Sequence, residues 1–76
     1  MPTLRKLFGQ RLRYLRRQHN LTQEQLAELT GLSVDFISLV ERGINAPSFE
    51  KIELLSQTLC VPVKAFFDTD LTSEAN

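Results

Sequence analysis

Two hydroxyl residues eleven positions apart, Thr22 and Ser33, sit in the same setting. Each follows a leucine and stands four residues before an apolar side chain, Leu26 or Ile37. A hydroxyl at a helix entrance accepts from a free first-turn N–H, and the apolar residue just before it packs back onto the new helix. At Thr22 the signal is reinforced, because Gln25 stands where it completes a capping box and Leu21 staples onto Leu26. Gly31 then ends the helix, since glycine adopts positive φ without a Cβ penalty. Only Leu32 separates that glycine from the next cap, so the following helix leaves at a steep angle.

A pair of short helices joined in this way is a helix-turn-helix unit. The remaining punctuation predicts an all-α chain of five helices with no strand. Thr3 caps the first, which runs to about Gln18 and breaks at His19-Asn20, where Asn tolerates the left-handed conformation. The third ends at Gly43; Pro47 closes a loop, and Ser48 caps a fourth helix whose buried stripe is Phe49, Ile52, Leu55 and Leu59. Pro62 suits the first turn of a short fifth helix carrying Val63, Phe66 and Phe67. Residues 1–76 read as one domain with a core over about 3–68 and a frayed tail over 69–76. A core this small is marginal, so a partner subunit would help it.

The formal net charge is zero, but its distribution is uneven. Arg5, Lys6, Arg11, Arg13, Arg16 and Arg17 are cationic with no acid before residue 20, whereas Arg42, Lys51 and Lys64 face nine acids in the remainder. On a helical projection Leu4, Phe8, Leu12 and Leu15 share one arc, and Arg5, Lys6, Arg13, Arg16 and Arg17 occupy the opposite side and its border. Two readings of that face stand: a solvated helix surface, or one turned toward DNA. Arg11 falls among the apolar residues and calls for an acidic partner.

Several function classes are excluded. No apolar run approaches the roughly 20 residues of a membrane span and no signal-peptide core appears, which gives a cytoplasmic expectation. Cys60, the single cysteine, is expected as a small buried residue at a helix end; with one distant His19 it makes neither a disulfide nor a metal site. Nothing pairs an acid with a base, and no glycine-rich phosphate loop is present, so neither an enzyme nor a cofactor is expected.

The segment LTQEQLAELTGLSVDFISLVERGINAPSFEKIELLSQTL resembles the phage-repressor and Cro-like helix-turn-helix family, often called XRE, with the likeness running from about Phe8 to Phe67. A lone domain of this kind looks most like the controller proteins of restriction-modification systems or other minimal repressors. The resemblance implies a compact lambda-repressor-like fold whose recognition helix, residues 33–42, enters the major groove of double-stranded DNA. Ile37 and Val40 then face inward and seat it, leaving Ser33, Val34, Asp35, Ser38 and Leu39 toward base edges. It further implies backbone-phosphate contacts from Thr22, Gln23, Arg42, Asn45 and Ser48, and an Arg16–Glu41 ion pair tying the first helix to the third. Asn20 and Cys60 depart from the pattern, in which glycine is usual at both places.

One recognition helix touches few bases, which argues for a homodimer on a palindromic operator, with half-sites about 34 Å apart. Candidates for its two-fold interface are one of Phe66 and Phe67, with Leu71 or Leu54; the competing reading places both phenylalanines in the monomer core. No small-molecule effector domain is expected. The alternative function is an antitoxin-like or adaptor module that keeps this fold and binds protein instead of DNA.

Overall fold

The computed structural model describes residues 3–69. In chain order these form α1 (Leu4–Gln18), α2 (Gln23–Thr30), α3 (Val34–Glu41), α4 (Phe49–Leu59) and a final 3-10 helix (Val63–Phe67), with no strand among the described residues. The chain is all-α, and every α-helix opens on a hydroxyl cap. Thr3 accepts from the Lys6 N–H, Thr22 from Gln25, Ser33 from Phe36 and Ser48 from Lys51, at 3.3, 3.0, 3.0 and 3.2 Å. Each cap is worth about 1 kcal/mol. At Thr22 the box is reciprocal: the Gln25 side chain accepts from the Thr22 N–H at 2.8 Å. Gly31 closes α2 with φ 74° and leaves α3 free to turn away.

The fifth element differs from the expected α-helix. It is five residues long with no side-chain cap, and Pro62 precedes it in extended conformation. The Ala65 N–H donates to the Pro62 carbonyl at 2.9 Å, three residues back. A segment this short gains little from i→i−4 bonds and settles into the tighter form.

The core joins every element: Phe8, Leu12 and Leu15 of α1, Leu26 and Ala27 of α2, Ile37 and Val40 of α3, Ile52, Leu55 and Leu59 of α4, and Phe66. The Phe66 ring stacks on Phe8 with centroids 4.9 Å apart. Two residues of the expected apolar stripes lie outside this core. Leu4 is 64% and Phe49 83% exposed. Each is the first residue of its helix, and the two border one open groove with Phe8, Ile52 and Phe67. Cys60 also differs from expectation: it is exposed and occupies the left-handed region at φ 55°, as Asn20 does at φ 57°.

Candidate nucleic-acid interface

The pose of α3 is set by backbone contact with α1. At Gly9 a Cβ atom would fall 2.3 Å from the Val40 carbonyl oxygen and 2.6 Å from that of Glu41. Only glycine permits so close a crossing. A glycine inside a helix costs roughly 0.5 to 1 kcal/mol relative to alanine, so its presence within the α1 period is the sequence signal for such an approach.

A polar network fastens the same crossing. Arg16 is buried and forks onto buried Glu41, with Nε donating to Oε2 at 2.6 Å and Nη2 to Oε1 at 3.0 Å. Its Nη1 donates to the Leu21 carbonyl at 2.7 Å, fixing the turn into α2. The Gln23 side-chain amide gives Glu41 Oε1 a further bond at 3.0 Å. One carboxylate therefore gathers α1, α2 and α3, and fork geometry of this kind is directional as well as strong.

With Ile37 and Val40 buried beneath it, α3 turns its first residues outward. Ser33 and Asp35 are exposed; Ser38 and Leu39 are half-buried. Val34 is half-buried and packs partly on the core, which divides its surface between seating the helix and facing outward. Thr22, Arg42 and Ser48 are exposed, and Asn45 is half-buried, its N–H donating to the Leu39 carbonyl at 3.3 Å. The Gln23 side chain turns to Glu41 rather than outward. Phe36 and Lys51 escaped the sequence reading: the Lys51 ammonium sits 4.6 Å from the Phe36 ring centroid, bracing α3 against the first turn of α4. No local signal marks that pair, since the two residues meet only through the tertiary fold.

The cations of α1 separate into three groups. Arg11 and Arg16 are buried. Arg11 donates from Nε to the Ala65 carbonyl at 2.8 Å and lies 5.0 Å from the Tyr14 ring centroid, so it anchors the 3-10 helix. Arg5 donates to the Ile44 carbonyl at 3.1 Å, and Lys6 lies against Gly43; both brace the loop after α3. Arg13 and Arg17 remain exposed, and with Arg16, Gln23, Ser38, Glu41 and Arg42 they line a cleft of about 370 Å³ beside α3.

Among the residues assigned to a two-fold interface, Phe66 is corrected: its side chain is 0% exposed and reaches no second chain while the core is folded. Phe67 and Leu54 are half-buried, and Leu71 lies outside the described residues. Phe67 rests on Phe8 with centroids 5.5 Å apart. No helix of the described residues is long and apolar enough to cross a membrane.

Two tightly capped helices around a glycine turn, the second pinned by its inner face and free at its leading edge, define a helix-turn-helix domain. Residues 12–66 match the Helix-turn-helix family model HTH_3, and the chain belongs to that family, whose members of this type are known as XRE regulators. It is similar to the control protein C.BamHI of Bacillus amyloliquefaciens, with 39% identity over 66 residues, covering 86% of this chain and 82% of the relative. It is also 37% identical over 57 residues to the immunity repressor of Bacillus phage phi105, covering 75% of this chain but only 40% of that longer protein. Among solved structures, the restriction-modification controller protein C.AhdI from Aeromonas hydrophila superposes with TM-score 0.79 at 40% identity, over 83% of this chain and 96% of that one.

Proposed function

We propose that the protein is a sequence-specific regulator of transcription that binds double-stranded DNA as a homodimer, with residues 33–42 in the major groove of each palindromic half-site. The observation that carries this reading is the contrast between the two sides of α3. Its inner side is locked by Gly9, Arg16 and Glu41, while Ser33 and Asp35 at its leading edge are exposed. Major-groove reading needs a rigid helix tip free of the protein's own side chains.

That tip carries no positive charge and one negative, Asp35. Ser33 and Ser38 donate or accept, Asp35 accepts from cytosine N4, and Val34 and Leu39 offer apolar surface to a thymine methyl. Backbone contacts from Thr22, Arg42, Asn45 and Ser48 set the register without reading sequence. Gln23 takes part through the second hydrogen of an amide already bound to Glu41. Phe67, Leu54 and exposed Val63 supply apolar surface for the two-fold contact. The relatives called controller and repressor support the regulatory reading.

Selection from a random duplex pool tests it: a palindrome with half-site centres one helical turn apart is expected to be enriched. Asp35→Ala should then relax preference at one base pair per half-site, by about 1 to 3 kcal/mol, and leave non-specific binding nearly intact. A pool without enrichment would hand the fold to the protein-interaction alternative. A monomer in sedimentation at tens of micromolar, with or without operator, would remove the homodimer.

A further inference from the structure

We infer that the cleft beside α3 is a phosphate seat, in which Arg13 and Arg17 of α1 clamp the DNA backbone together with Arg42. This rests on the DNA reading above and adds to it two residues of α1.

Four observations carry it. The guanidinium groups of Arg13, Arg17 and Arg42 have no hydrogen-bond or ion-pair partner among the described residues, unlike those of Arg5, Arg11 and Arg16. All three line one concavity of about 370 Å³ rather than projecting singly from the surface. The one acid among its lining residues, Glu41, is occupied by Arg16 and Gln23, so the cleft keeps the charge of its three free arginines. Gln23 and Glu24, which open α2 at its edge, have backbone N–H groups with no acceptor among the described residues, whereas Thr22 caps Gln25. Free first-turn amides and a helix dipole add attraction for an anion. Planar guanidinium forks match the oxygens of a phosphodiester. The position of Ser38 in the same lining places this seat alongside the outward side of α3, where a strand of the duplex would pass.

The cleft would supply backbone affinity that the tip of α3, with its Asp35, lacks. Since phosphate contacts carry no sequence information, it would act equally on operator and random DNA.

Binding of the full chain to its selected palindrome and to a scrambled duplex, measured between roughly 50 and 200 mM salt, tests the inference. Two fewer phosphate contacts lower the slope of log K against log salt by about 1.8. The double variant Arg13→Gln/Arg17→Gln should show that drop per subunit on both duplexes, with the ratio of the two affinities and the thermal melt unchanged. Lys64→Gln, a charge removed from the 3-10 helix outside the cleft, should leave the slope as it is. An unchanged slope in the double variant, or an equal drop in Lys64→Gln, would overturn the phosphate seat while the DNA reading stands. Failure of the unaltered protein to bind either duplex would overturn both.

Discussion

The rod of α1 makes two unlike seams. Along its middle and C-terminal half it meets α3 through Gly9 and the Arg16 fork, with backbone atoms in contact and a buried carboxylate receiving three bonds. At its first turn the partner is the start of α4, and there the seam is open: Leu4, Phe8, Phe49, Ile52 and Phe67 surround a groove of about 220 Å³. The closed seam is directional, whereas the open one is lined mainly by apolar side chains, with Arg5 at its rim bonded to the Ile44 carbonyl. Apolar attraction does not specify orientation. A helix that must present side chains to within about 0.5 Å needs groups with angular preference, and the fold places them against α3.

The largest expected effect breaks the closed seam electrostatically. Arg16→Met leaves Glu41 buried with only Gln23 as donor, and removal of one partner from a buried pair costs about 3 to 5 kcal/mol. Urea unfolding of the variant checks this. Adding Glu41→Leu should restore much of the stability, because an apolar pair of similar volume is tolerated. DNA affinity should stay depressed, since the turn at Leu21 and the Gln23 amide have lost their anchors. Recovery of both properties in the double variant would show that apolar contact suffices to pose α3, and the contrast between the seams would vanish.

Next in size is Gly9→Ala. In an ordinary helix interior this change stabilises by roughly 0.5 to 1 kcal/mol. Here the new methyl meets two backbone carbonyls that have no rotamer to escape by, so a loss of about 1 to 3 kcal/mol is expected. The sign alone decides the matter. A stabilised Gly9→Ala would mean that the crossing opens freely and that the pose of α3 is not fixed there.

What could be read from the sequence, and what could not, follows the same division. Caps and turns at Thr3, Thr22, Gly31, Ser33 and Ser48 were legible because a cap is decided within four residues of itself. The inward facing of Ile37 and Val40 came with the family resemblance, which turns the opposite side of α3 toward DNA, and both are buried. Phe49 and Leu4 were misplaced because a projection shows which arc is apolar and is silent on where along the rod the covering element stops. The sequence of α1 offers six similar charges, five on its basic arc and Arg11 among the apolar residues, yet tertiary partners sort them into buried anchors, loop braces and free groups. Neither the Ala65 carbonyl that Arg11 takes nor the Ile44 carbonyl that Arg5 takes is marked by any side-chain type. Backbone acceptors leave no trace in composition. The role of Gly9 had a local sign, an unfavourable residue in a helix, but its partner lies more than thirty positions on.

The smallest effect concerns the two left-handed residues: Asn20 adjoins the closed seam, and Cys60 stands at the end of α4 away from the open one. Asn20 precedes Leu21, whose carbonyl Arg16 holds, and Cys60 is the C-cap of α4. Asn visits this conformation readily, whereas an ordinary side chain pays about 1 to 2 kcal/mol for it. Replacement by glycine removes that penalty but adds backbone entropy of about 0.4 to 1 kcal/mol to the unfolded chain. Cys60→Gly should therefore stabilise by up to about 1 kcal/mol, and Asn20→Gly should change stability by no more than a few tenths. Paired urea melts resolve the difference. The salt dependence of DNA binding should be the same in both variants, because neither residue belongs to α3 or lines the cleft. Equal gains at the two sites would show that the turn at Asn20 carries the same strain as the one at Cys60, and the α1–α2 junction would lose its standing as the better fitted of the two.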